Sequence, residues 1–551
     1  MKPILIKSQR GFATLIALIM VVMLTLLGLA ALEQSDDEMT IAGNELQEMR
    51  TFYAAESGME TATALLQAEY DSTGIPPTTL PSDQMTINGC YTTFTTADDG
   101  VPTPQILTNG TLVGLHASVK SFTINATAIN TAKRSKVDLS QSFEAALVPI
   151  FQFAVFYGND LEIAPGPSMT LLGRVHSNGN MYIQSGNSLY MDSYVTASGD
   201  IIHGRSPAYG GSVANGDIFI KDASGAYVNM DLGGSSWLDA NHSDWYDSSI
   251  AKWQGRVQDA SHGQEELNVP LSTGAGGDAH KLIEPASGGN VDSYESLATL
   301  KFIDGQAYQL TGGVWNDVTA SMIADSVISF KTGNDRFYDG REGTKVDVMD
   351  LDIEEMYDDG WAPSNGVVYF SDRDVSKPFP ALRLVDGDEL DAGLTIASEN
   401  PIYIWGDYNT IDKKPAAVMG DACTFLSNDW DDANQLVANL NSADETTMNV
   451  SYLTGNVVSA GGNYSGGFEN LPRFLESWSG EEFIWTGSAV NLWESTQATG
   501  QWSYGSFYTA PIRTWSYDTD LDDPANHPPE TPCVRVFQRT GWKQEYVGYD
   551  L

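Results

Sequence analysis

Residues 10–34 read RGFATLIALIMVVMLTLLGLAALEQ, and the 21 positions from Phe12 to Leu32 carry no charged side chain. At ~1.5 Å per residue such a run makes a helix of roughly 32 Å, enough to cross the ~30 Å hydrocarbon core of a bilayer. Lys2, Lys7 and Arg10 lie before it, and Glu33, Asp36, Asp37 and Glu38 after it. Basic residues before the span and acidic ones after it place the N-terminus in the cytoplasm and the rest of the chain outside. Three readings share this orientation. One is a secretory signal with Gly28 and Ala30 before the cut, although its apolar region would exceed the usual ~7–15 residues. The second is an uncut membrane anchor. The third is a basic leader removed just ahead of a hydrophobic helix that is kept.

The junction Arg10-Gly11-Phe12 favours the third. Together with the apolar span it leads into residues 38–62, EMTIAGNELQEMRTFYAAESGMETA, with an Ala42-Gly43-Asn44 break and an Ala54-Ala55-Glu56 segment. This N-terminal region, about residues 1–65, resembles that of PilX-type type IV pilus assembly proteins. The resemblance implies cleavage by a prepilin peptidase between Gly11 and Phe12, methylation of the new amine, and packing of the helix against other pilins. It also exposes a departure. Major pilins carry Glu at the fifth mature position, where it pairs with a neighbour's terminal amine; here that position is Ile16. An unpaired amine inside a bundle of helices costs several kcal/mol. A subunit with nothing stacked above it has no such need, which favours the tip of a filament over its shaft.

Working outward, residues 1–11 read as a leader and residues 12–68 as one helix. Leu46, Met49 and Tyr53, then Met59, Ala62 and Leu66, recur at i, i+3, i+7 and are expected to share a face. Residues 69–150 read as a small antiparallel β head: a short strand at 90–95, then strands at 120–129 and 136–147 with a turn at 131–134.

From Gly158 a repeat begins. Gly158-Asn159-Asp160, Gly179-Asn180-Met181, Gly199-Asp200-Ile201 and Gly216-Asp217-Ile218 lie 21, 20 and 17 residues apart. A period near 20 with about three short strands per unit predicts the coils of a parallel β-helix, whose thin coils bury a core only by stacking. Gly and Asn would supply left-handed corners. The signature returns at Gly406, Gly420 and Gly455. The fold expected is therefore α+β: a pilin-type helix, the β head, and a mostly-β domain with an interrupted solenoid. That solenoid would occupy 151–221 and 393–551, around an inserted acidic lobe at 222–392; a β-sandwich is the rival. Residues 471–478 read as a short capping helix. Eight of the 13 Trp lie beyond residue 400, either as a surface for glycans or proteins or, as large aromatics usually do, filling the interior.

Charge narrows the partners. Twenty-nine basic against 72 acidic residues give −43, which repels nucleic acid and anionic lipid. Cys90, Cys423 and Cys533 are too few and scattered for a disulfide framework, though two of them would have the chance to pair in an oxidising compartment. No nucleophile elbow, phosphate loop, HExxH or CxxC occurs, and no catalytic or cofactor-binding residue is assigned. His176 reads as a residue bonded to a neighbouring rung. Asp518, Asp520 and Asp522 form a D-x-D-x-D run suited to Ca²⁺, but Asp523 and Pro529 stand where an EF-hand needs Gly and Glu, so a solvated acidic turn is the alternative. Asp429, Asp431 and Asp432 have the same standing.

The expected protein is a non-enzymatic, minor pilin-like structural subunit at the tip of a type IV pilus or related filament. It would sit in the inner membrane with a cytoplasmic N-terminus before assembly, then at the cell surface, displaying its β domain for assembly or adhesion. The rival is a membrane-anchored β-helix lyase or glycosidase using paired carboxylates; a third option is an envelope anchor without a pilus.

Overall fold

A computed structural model describes residues 10–130, 135–210, 212–272, 277–434, 440–459 and 464–546. The leader residues 1–9 and the turn at 131–134 lie outside them. A long N-terminal helix is followed by a mostly-β body of several sheets, each an open path of strands with no closed barrel among the described residues.

The helix runs from Arg10 to Thr73, 64 residues. Every residue from Gly11 to Leu46 is exposed, roughly 54 Å of rod at ~1.5 Å per residue. Beyond it Ala55, Met59, Ala62, Leu66 and Tyr70 are buried against Phe94, Phe122, Ile124 and Phe143 of the head sheet. The expected single stripe is corrected here. Leu46, Met49 and Tyr53 are exposed, whereas Met59, Ala62 and Leu66 are buried. Six residues separate Tyr53 from Met59, which on a helix of ~3.6 residues per turn is roughly 120° round the axis. The chain therefore has two apolar faces, and only one is covered. Helix and sheet approach closely at Gly58, where an added Cβ would lie 2.8 Å from Thr92 Cγ2.

The head sheet is antiparallel in the order Ser82–Ile87, Cys90–Asp98, His116–Asn130, Ser135–Pro149 and Cys533–Tyr546, with Thr103–Ile106 paired to the third. The last strand comes from the C-terminus, so the segment 393–551 does not stay in the body as expected. Its partner strand is far away in sequence, and periodicity carries no information about that pairing.

In the body, strands hydrogen-bond in parallel at intervals close to the expected period. Leu161–Ile163, Met181–Ile183 and Ile201–His203 form one ladder, with Met181 opposite both Leu161 and Ile201. Met169–Leu171, Ser188–Met191 and Asp217–Lys221 form a second. The third is part of a 12-stranded sheet. Phe153–Tyr157 is followed on one side by Arg174–Ser177, Val195–Ala197 and Val257–Gln258. On its other side come Ala489–Asn491, Ser451–Thr454, Ala416–Gly420, Leu394–Ser398, Val367–Ser371 and Leu300–Ile303. The chain thus enters this sheet in the middle and climbs to one end at Val257. It next joins the sheet at Leu300–Ile303, the far end of the parallel run, beyond which Gln306–Thr311 and Val314–Asp317 add two antiparallel strands, and it then returns strand by strand to Ala489, opposite Val155.

Strands inside the stretch read as an inserted lobe belong to these ladders: Val257–Gln258, Leu300–Ile303 and Val367–Ser371 to the long sheet, Asp347–Asp352 and Pro380–Val385 to a parallel ladder with Ile402–Trp405 and Cys423–Leu426. Apart from Gly387-Asp388 after Pro380–Val385, their corners lack the Gly-Asn/Asp signature. The repeat glycines differ from expectation in part: Gly406 is left-handed, with φ +78°, but those of the first repeats are not. Gly158, Gly179, Gly199 and Gly216 are not among the glycines with positive φ. They serve close stacking instead: a Cβ on Gly179 would strike Asp160 Oδ1. There Asn180 N donates to Asp160 Oδ1 (2.8 Å) and Asp200 N to Asn180 Oδ1 (2.9 Å), one corner bonding the next.

No helix forms at 471–478; Arg473 and Ser477 instead make isolated parallel bridges to Thr424, Ser442 and Thr509. Trp430, Trp478, Trp485 and Trp493 are buried, Trp405, Trp502 and Trp515 pack partly buried on the core, and Trp542 is exposed. One interior ion cluster crosses the strands: fully buried Arg383 pairs with Asp350 at 2.7 Å and Asp432 at 2.6 Å.

Candidate functional site

The most conspicuous surface is the uncovered half of the N-terminal helix. Gly11 and Phe12, the expected processing junction, are helical and exposed, as is Ile16. From Gly11 on, the helix is long and apolar enough to cross a membrane, and the apolar window is wholly unburied. Glu33, Asp36, Asp37 and Glu38 interrupt it, after which Met39, Ile41, Leu46, Met49 and Tyr53 form a second exposed apolar stretch. Apolar side chains exposed over such a length are stable only in lipid or against equivalent helices.

A second feature, a strap, lies where residues 259–272 and 277–299 cross the corners of the long sheet. Asn178 holds this strap with a reciprocal pair, donating to Leu267 O (3.1 Å) and accepting from Leu267 N (2.8 Å). Further along, His280 sits 2.9 Å from Glu284 and 3.9 Å from the buried Asp421. Asp421 accepts from the amides of Thr496, Gln497 and Ala498, and its carboxyl is held below the usual carboxylate range by His280 and those amides, against the opposing effect of burial. Cavities of about 500 and 530 Å³ open beside the strap, and both are lined by Asn159, Asn178, Glu266, Trp493 and Glu494.

A third cluster escaped the sequence reading. Ser249 Oγ lies 2.7 Å from His262 Nε2, and His262 Nδ1 lies 2.9 Å from Asp259 Oδ1. These are the distances of a Ser-His-Asp triad. Its setting is different. Ser249 is fully buried within the helix Trp245–Trp253, and its hydroxyl also reaches Tyr246 O at 3.0 Å. Asp259 is fully buried and accepts from Trp245 Nε1 (2.6 Å) and Ser261 N (3.0 Å). With Ser249 closed to solvent, the three side chains act as a clasp at the end of the ladder formed by Val257–Gln258.

The remaining expected sites are placed plainly. His176 is buried, with Nδ1 2.8 Å from Thr196 Oγ1 on the adjacent strand and Nε2 2.9 Å from Asn178 Oδ1; burial pushes its pKa down to about 4. Two of the three carboxylates expected to bind calcium are bridged by a lysine. Lys413 Nζ stands between Asp518 (2.7 Å) and Asp520 (2.8 Å), while Asp522 turns to Tyr517 Oη (3.0 Å). An ammonium group fills the place between the first two carboxylates, and it comes from a residue remote in sequence. Asp432 is committed to Arg383. Among the described residues no group of three or more His, Cys, Asp or Glu is placed to hold a metal ion. Cys90, Cys423 and Cys533 are free thiols.

A helix whose upper part is packed on its own antiparallel head and whose lower part is bare defines a pilin-type N-terminal region. Residues 10–60 match the family model PilX N-terminal. The chain therefore carries a PilX-type pilin N-terminal region ahead of a large C-terminal domain, which relates it to type IV pili. Among solved structures, the competence-associated pilin ComZ from Thermus thermophilus is similar over 91% of this chain and 98% of its own, at 10% identity and a TM-score of 0.34, too low for one fold to be carried to the other. No curated protein sequence matches the chain.

Proposed function

We propose that this protein is a minor pilin-like structural subunit, inserted in the inner membrane and then drawn into a type IV pilus or related filament, with its body displayed at the tip. The observation that carries the reading is the bare rod from Gly11 to Leu46, uncharged from Phe12 to Leu32 and continuous with a helix that anchors it to the head. After removal of residues 1–11 by a prepilin peptidase, that rod exchanges lipid for the helices of sister pilins. Two features support the tip. Ile16 offers no carboxylate for a neighbour's amine, and a body of this size would clash if repeated along a closely packed shaft. We read the parallel ladders as an interrupted β-solenoid in which the chain between Val257–Gln258 and Leu300–Ile303 passes from one end of the parallel run to the other.

Filaments sheared from the native cell test this. The protein should co-sediment with them at far lower abundance than the main subunit, and antibody to the body should mark filament ends. Uniform labelling along the shaft, or absence from filaments, overturns the proposal. The rival enzyme reading would instead show polysaccharide turnover that is lost on mutation of a carboxylate pair.

A further inference from the structure

The cavity of about 500 Å³ beside the strap falls within the ~300–1,000 Å³ of ordinary ligand pockets. Asp160, Glu266 and Glu494 stand exposed on its walls, with Glu162 buried below them, and no Lys or Arg lines it among the described residues. Such a lining repels an anion and attracts positive charge. Three of its side chains, each more than nine-tenths buried, carry a polar atom with no hydrogen-bond partner: Tyr157 Oη, Glu162 Oε1 and Trp493 Nε1. Buried polar atoms are ordinarily paired, so three in the walls of one cavity point to a missing partner. A bare cation would suit Glu162 but leave the Trp493 N–H unmet, because that group only donates. A hydroxyl both donates and accepts, and serves all three. Phe468 and Tyr182 add aromatic surface to the same walls. The adjoining cavity of about 530 Å³ shares Trp493 and Glu494, giving length for more than one ring.

We propose that this cavity binds a short oligosaccharide bearing free amino groups. The ring hydroxyls meet Tyr157, Glu162 and Trp493, while the ammonium groups lie among the rim carboxylates. The proposal deepens the reading of a displayed body, from which it takes its biological setting, but binding itself is independent of any filament.

Calorimetric titration of the full chain in detergent micelles with a β-1,4-linked glucosamine tetramer tests it, with the N-acetylated tetramer and a galacturonate tetramer as comparators. The glucosamine tetramer should bind saturably and the galacturonate tetramer should not. Trp493→Phe and Glu162→Gln should each weaken binding roughly tenfold, the loss of one hydrogen bond. Glu494→Gln, on the exposed rim, should weaken it less and leaves the fold untouched, which covers the case in which a buried variant unfolds. No saturable binding, or binding indifferent to all three substitutions, overturns the site. Equal affinity for the acetylated or the acidic tetramer overturns the amino-sugar assignment. Failure here leaves the pilin reading standing, and absence from filaments leaves the binding measurement standing.

Discussion

Glu469 and Glu476 are buried carboxyls whose pKa values burial pushes up to about 7. Each is ionised in the unfolded chain above the ordinary value of 4.5 but resists ionisation when folded, so stability is full below that value and is lost as pH rises towards 7. Raising a carboxyl from 4.5 to about 7 corresponds to something on the order of 3 kcal/mol for each group. His176 acts in the opposite sense. Its folded pKa, about 4, lies below the ordinary 6.5, so its contribution is lost as pH falls through that window. Thermal unfolding followed from pH 5 to 7.5 should therefore show Glu469→Gln and Glu476→Gln flattening the decline at the upper end; an unchanged profile in both would contradict their buried, reluctant ionisation. At Ser249, a fluorophosphonate probe should leave the native protein unlabelled, and Ser249→Ala should cost about 1 kcal/mol by removing the clasp. Labelling of Ser249 would mean that the site opens to substrate. At this scale the sequence was a poor guide. The Asp518-Asp520-Asp522 spacing suggests a metal, yet Lys413, remote in sequence, decides its chemistry.

Among elements, the most sensitive contact is the helix on the head sheet. Replacing Gly by Ala within a helix ordinarily stabilises by about 1 kcal/mol. At Gly58 the added Cβ would press on Thr92 Cγ2 at 2.8 Å, and overpacking costs roughly 1–3 kcal/mol. Gly58→Ala should therefore lower the melting temperature, and a higher one would show that the two layers do not meet there. The elements that sequence could reveal were those with local signals. The uncharged span announced the long helix, alternation marked 120–129 and 136–147, within the observed strands His116–Asn130 and Ser135–Pro149, and the Gly-Asn/Asp corners marked the first strands of the ladders. Later strands such as Val367–Ser371 are buried throughout and read as unbroken apolar runs, with hairpins and short helices between them. The helix expected at 471–478 failed for the same reason: its residues are almost all buried, so periodicity cannot separate helix from extended chain. The triad-like clasp lies within a short stretch of sequence, but no motif spacing marks it.

For the whole molecule, one fact governs the rest: an apolar rod joined to a folded acidic body has no stable home in water alone. Membranes from the native cell should retain the protein through alkaline carbonate washing and release it to detergent, and recovery in the wash would contradict an embedded helix. The processing of that rod is the central point. N-terminal sequencing of the mature protein should begin at Phe12, with the terminal amine methylated. A start at Met1 would leave an uncut anchor, and a start at Ala31 a secreted protein stripped of its helix; either result contradicts the account.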